Sequence, residues 1–169
     1  WDQATSTNVW TQKANFGGTA RYLTASFAVS GKGYFATGND GTPYTKDLWE
    51  YNPSLDSWAQ KANLPDSARI GAVGFSIGNK GYLGLGYNCQ MLLDFWEYDP
   101  LLNTWTQRAN FIGTGRTNAV GFSIGTKGYV GTGSIPNSAV NDFWEYDPSL
   151  DLWTQKTNVP GTIREYAFG

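Results

Sequence analysis

The chain has 169 residues, of which 15% are charged and 16% aromatic, and its net charge is −2. That balance argues against a nucleic-acid binder, which needs a basic face to neutralise phosphates. No run approaches the 18 consecutive apolar residues of a membrane-crossing helix, and a single cysteine, Cys89, excludes an internal disulfide.

The tryptophans set the organisation. Trp1, Trp49, Trp96 and Trp144 form one series, with spacings of 48, 47 and 48, and Trp10, Trp58, Trp105 and Trp153 follow nine residues behind. An internal period of this length marks a repeat architecture. The repeats fall at about 1–46, 47–93, 94–141 and 142–169, in one segment spanning 1–169.

In chain order, Trp1 and Trp10 mark the third and fourth strands, c and d, of a first, partial unit. The best-preserved copy then predicts strand a near Gly71–Ile77, a Gly78–Gly81 turn and strand b at Tyr82–Gly86. Glycine suits that turn because two-residue hairpin loops need positive φ. Strand c, Asp94–Tyr98, puts Trp96 and Tyr98 on one face and Phe95 and Glu97 on the other. A turn over Asp99–Asn103 leads to strand d at Thr104–Arg108. AVGFSIG recurs at Ala119–Gly125 and DFWEYDP at Asp142–Pro148, so the next copy repeats the plan. The chain ends inside another strand a, at Gly169. No window shows helical periodicity, so no helix is predicted.

Four strands per period, small residues on strand a and bulky aromatics further out suit a wedge-shaped sheet in a ring. The expected fold is all-β: a propeller of four-stranded antiparallel blades, about 3.5 of them here. Its register leaves one blade without strand b, which predicts a part of a longer propeller or a half-ring completed by another chain, possible partners being a second copy or the remainder of the chain.

These residues resemble the kelch repeat along essentially the whole chain. The Tyr-to-Trp spacing is met by Tyr51/Trp58, Tyr98/Trp105 and Tyr146/Trp153, and the family's Arg by Arg21, Arg69, Arg116 and Arg164. The glycine pair closing strand b is split, as Gly84/Gly86 and Gly131/Gly133, and the first copy carries Ala36 and Gln3 where later copies have Gly and Tyr. The resemblance implies a bacterial, exported protein, at the cell surface or in the periplasm, whose b–c and d–a loops dock partners.

Variation between the copies points to the same face. The c–d turns NPSLD, DPLLN and DPSLD stay similar, whereas the b–c loops Asn39–Lys46, Tyr87–Leu93 and Ser134–Asn141 share almost nothing. Loops on a rigid scaffold carry specificity. Candidate contact residues are Tyr44, Tyr87, Met91, Ile135 and Asn137, together with the four arginines. An Arg in every copy reads first as a structural anchor; the functional alternative is a guanidinium ring at the pore mouth for an acidic peptide or sugar carboxylate. The repeated Glu50, Glu97 and Glu145 read as structural bonds between blades.

Catalysis finds little support. The absence of histidine excludes His-dependent triads and His-ligated copper or zinc. Cys89 has no basic neighbours and reads as a buried or incidental thiol. No catalytic residue, metal ligand or cofactor is assigned. The expected function is a non-catalytic scaffold for a protein or glycan; the rival is a sugar-active propeller enzyme resembling the sialic-acid mutarotases, with an Arg and a carboxylate at the pore mouth.

Overall fold

The computed structural model describes residues 9–166. Among them, three four-stranded antiparallel sheets follow one another along the chain. Blade 1 consists of β1 (Ala25–Val29), β2 (Lys32–Gly38), β3 (Thr45–Asn52) and β4 (Ser57–Lys61). Blade 2 consists of β5 (Val73–Ile77), β6 (Lys80–Gly84), β7 (Phe95–Asp99) and β8 (Thr104–Arg108). Blade 3 contains β9 (Val120–Ile124) and β10 (Lys127–Gly131), then a small hairpin of β11 (Ser134–Ile135) and β12 (Ser138–Ala139), then β13 (Phe143–Asp147) and β14 (Leu152–Lys156). Within each blade the strands pair in the predicted a–b–c–d order. β1 lies beside β5 and β5 beside β9, so the first strands gather around a common axis as in a β-propeller.

Trp1 and its strand lie outside the described residues, as does the final strand a at Gly169, and residues 9–15 carry no strand. Trp10, read as the strand d tryptophan of the first unit, is fully exposed.

Two glycine assignments change. Ile77 pairs with Lys80, so the a–b loop is only Gly78–Asn79, with Gly78 at φ 58°. Positive φ at the first loop position is what such a hairpin requires. Gly81 belongs to the strand and serves another purpose: a Cβ there would lie 2.2 Å from a ring carbon of Phe27, and one on Gly128 2.2 Å from a ring carbon of Phe75. The second glycine of the motif is thus the seat for an aromatic ring from the preceding blade. In blades 2 and 3 strand b also ends earlier than predicted, at Gly84 and Gly131. The residue before the closing glycine, Thr37, Leu85 or Thr132, sits at φ 60–62°; at Leu85 and Thr132 the chain leaves the sheet, and at Thr37 it forms a bulge between Ala36 and Gly38. The following glycine donates its N–H to the next connecting segment: Gly38 to the Arg69 carbonyl, Gly86 to Arg116 and Gly133 to Arg164, each at 2.9 Å.

The core lies between the blades. Phe27, Tyr34 and Leu48 of blade 1 meet Leu83 and Tyr98 of blade 2, while Phe75, Tyr82 and Phe95 meet Val130, Tyr146 and Trp153 of blade 3. Phe95 and Tyr98 sit on opposite faces of β7, as the alternation predicts, and both are buried because the central blade is covered on both sides. The second tryptophan series closes each joint: Trp58, Trp105 and Trp153 donate their indole N–H to the carbonyls of Ala14, Ala62 and Ala109, 43–44 positions earlier in the chain.

Replacing Gly128 by Ala should displace the Phe75 ring. Overpacking of this kind costs about 1–3 kcal/mol, to be read as a lower urea midpoint with an unchanged slope.

Candidate binding face

The repeated arginines sit in one recurring constellation. Arg69 donates its Nε–H to the Ser67 carbonyl (3.1 Å), Nη1 to the Leu85 carbonyl (3.2 Å), and both terminal nitrogens to Asp94 at 2.6 Å. The Trp96 indole donates to the same carboxylate at 2.6 Å. Arg21–Asp47–Trp49 and Arg116–Asp142–Trp144 repeat the arrangement. Arg69 and Arg116 have no exposed surface, and the Arg21 and Arg116 guanidinium groups lie over the rings of Phe16 and Phe111. A fork of donors on a planar carboxylate is the geometry that favours Arg over Lys. These three arginines therefore clamp each d–a connecting segment to strand c of the blade it enters. Arg164 lies on the exposed final segment and donates to the carbonyls of Thr162 and Pro160.

The aspartates were the part that sequence reasoning missed. One signal could have found them: Asp47, Asp94 and Asp142 each stand two residues before a first-series tryptophan.

The repeated glutamates bond within a blade, not between blades as expected. Glu50 accepts from Tyr34 (2.6 Å) and Lys32 (2.9 Å), Glu97 from Tyr82 and Arg108, and Glu145 from Tyr129 and Lys127. Each ties strand c to strand b or d. The repeat-wide polar groups are in this way largely satisfied inside the scaffold.

What differs between blades collects at one end. The residue after each arginine bridges to the start of a b–c loop, Tyr22 to Asn39, Ile70 to Tyr87 and Thr117 to Ser134, so d–a and b–c segments form one continuous face. There the half-buried Tyr44 and Tyr87, from b–c loops of neighbouring blades, meet edge to face with centroids 6.4 Å apart. Tyr22 is exposed nearby and its hydroxyl accepts from Asn39 (3.1 Å). Met91 packs beside Gly115, Ile135 pairs with Ser138 in the β11–β12 hairpin, and Asn137 is exposed at its tip with φ 65°. Of the two readings of Cys89, a buried or an incidental thiol, the buried one does not hold: Cys89 is exposed on the short b–c loop of blade 2, at φ 56°.

At the axis, the N–H of Gly71 bonds the Leu23 carbonyl, Asn118 bonds Gly71, and Tyr166 bonds Asn118, at 3.0–3.3 Å. This blade-to-blade ladder frames a cavity of about 220 Å³ lined by the same four residues together with Thr24, Ala72 and Ala119.

No family model and no curated protein matches the chain. A solved structure, that of YjhT, superposes with a TM-score of 0.81 at 19% identity, over 92% of this chain and 57% of that one. The likeness establishes the β-propeller fold, and the chain spans a little over half the length of the structure it matches.

The clamps give the fold an acid limit. Burial alone would raise the Asp47 and Asp142 carboxyls, but hydrogen bonds and charge from Arg21 and Arg116, with the tryptophan indoles, hold both below the ordinary carboxylate value. Their contribution is complete above the unfolded pKa of about 3.9 and is lost as pH falls through the lower native values. Asp142→Ala leaves the buried Arg116 without its counter-charge, which should cost about 3–5 kcal/mol at neutral pH. The same variant should flatten the acid limb of a stability-versus-pH curve measured by urea unfolding.

Proposed function

We propose that the chain is a kelch-type propeller segment acting as a non-catalytic binding scaffold, whose b–c and d–a loops present a face to a protein or glycan partner. The observation that carries this reading is the Tyr44–Tyr87 pair, built by two loops of unrelated sequence on neighbouring blades. Tyrosine offers large, rigid contact area with a polar tip, and it dominates binding hot spots. The rival enzyme reading needs an Arg and a carboxylate open to the pore mouth. Arg69 and Arg116 are buried against Asp94 and Asp142 instead, and the axial cavity is lined by Leu23, Gly71, Asn118 and their neighbours, which favours the binding reading.

Screening the purified chain on arrayed glycans and peptides tests the proposal. A genuine ligand should lose at least about tenfold in affinity, or ~1.4 kcal/mol, on Tyr44→Ala with Tyr87→Ala, while thermal unfolding stays within a few degrees of the parent. Binding that ignores both substitutions, or catalysed anomer exchange of a free sugar detected by NMR, would overturn it.

A further inference from the structure

The two outer sheet faces of the three-blade stack are the two halves of a joint that the molecule already makes twice. In each internal joint a phenylalanine on strand a covers a glycine on strand b of the next blade, Phe27 over Gly81 and Phe75 over Gly128. The same repeat position in blade 3 is Phe122, and the same glycine in blade 1 is Gly33, where a Cβ would meet nothing closer than the Tyr51 Cβ at 4.0 Å. The residues around them are exposed in proportion. Ile77 is 7% exposed inside its joint, whereas its equivalent Ile124 is 64% exposed. Leu83 is 0% exposed, and its equivalent Phe35 is 40% exposed. The outer face of blade 3 also holds a groove of about 320 Å³ along Phe122, Gly131 and Phe143.

We propose that the outer face of blade 3 docks on the outer face of blade 1 of a second copy, head to tail, with Phe122 of one copy seated over Gly33 of the other. The occupant is specified by the internal joints. A blade that fills this face must present a strand b glycine and a Tyr–Trp pair, and blade 1 presents them as Gly33, Tyr51 and Trp58 with the register of Gly81, Tyr98 and Trp105.

Each internal joint holds one connecting segment, and here two compete for the place. Segment 14–23 is fastened to blade 1 by the Arg21–Asp47 clamp, by the Ala14 N–H on Asp56 (2.9 Å) and by the Trp58 indole on the Ala14 carbonyl. Segment 157–166 is exposed except at Val159 and is held to blade 3 largely by backbone bonds to Asn141, Gly133, Val140 and Asn118. It is therefore the segment that gives way, and Phe16 and Leu23 of the incoming copy take the Asn141 and Asn118 carbonyls from Val159 and Tyr166.

Because the joint pairs two different surfaces, it is heterologous, and successive copies either close a ring or extend. Sedimentation velocity and light scattering on the 169-residue chain test it. The expected result is a mass above 18.6 kDa that rises with concentration. Gly33→Val fills the seat at a strand position with room for a side chain, and Phe122→Ser removes the knob from a half-exposed site. Each should keep its thermal transition and lose at least about tenfold in association constant. Mixed together, the two variants retain one intact knob and one intact seat, so they should form a two-copy species and nothing larger. A parent chain that stays at 18.6 kDa at every concentration overturns the proposal, as does an oligomer that neither substitution weakens.

Discussion

A phenylalanine ring lying on a glycine is the contact from which the blade stack is built. Sheets that pack face to face normally stand about 10 Å apart, kept there by side chains from both surfaces. At Phe27–Gly81 and Phe75–Gly128 one surface contributes no side chain, so the ring lies against backbone and the inner edges of adjacent blades close up. Only with the inner strands that near can the connecting segments hydrogen-bond around the axis, Gly71 to Leu23 and Asn118 to Gly71. Further out the sheets diverge, and the gap is filled by Tyr98 with Trp105 and by Tyr146 with Trp153. The wedge shape of a blade is thus a gradient of side-chain volume, from glycine at the axis to tryptophan at the rim. A glycine within a strand sacrifices ~0.5–1 kcal/mol of backbone entropy, which the burial of a phenylalanine, ~1.5–3 kcal/mol, offsets.

The period, the strand order, the all-β character of the described residues and the location of the variable loops were all legible in the sequence, because each is a local property repeated in step. Pairing across blades was not. Arg69 and Asp94 stand 25 residues apart, and since both recur at the same interval, periodicity says nothing about which acid each arginine meets. In the sequence Gly81 reads as a turn residue for a related reason. Its motif does contain a turn glycine, Gly78, and only the position of Phe27 distinguishes the two. By repetition alone the glutamates read as bonds between blades, although Tyr34 and Tyr82, the partners of Glu50 and Glu97, lie on the adjoining strand of the same sheet. In each case the missing information was the direction of a side chain relative to a neighbouring sheet.

A buried Arg–Asp pair is weak support for stability as such, since desolvation of both ions consumes much of their attraction. Its value here is positional. The segment after strand d has no sheet partners along most of its length, and without an anchor it could enter the next blade in several registers. The clamp fixes one of them: Arg69 reaches two backbone carbonyls and the carboxylate that Trp96 also holds. With register set by this constellation, the flanking loops are relieved of structural duty. That is the physical reason why NDGTPYTK, YNCQMLL and SIPNSAVN can occupy the same place in three otherwise matching blades. Thr37 and Thr132 mark how strongly the frame is imposed. Both hold an αL conformation unfavourable for a β-branched residue, with a buried hydroxyl lacking a partner, at the position where blade 2 has Leu85.

The same logic gives the stack a direction. In every joint the earlier blade supplies the phenylalanine and the later blade the glycine, so the two sides of a blade are not interchangeable. A blade cannot pair with a copy of itself through equal faces, and a two-fold contact across the outer sheets would set Phe122 against Phe122 or Gly33 against Gly33. The first pairs two knobs and the second two hollows, and neither buries what the internal joints bury. Sequence polarity along the chain is in this way converted into a surface polarity, with one phenylalanine face and one glycine face at opposite ends of the described blades. Any blade that satisfies either end, whatever chain supplies it, must arrive in the same orientation as its neighbour.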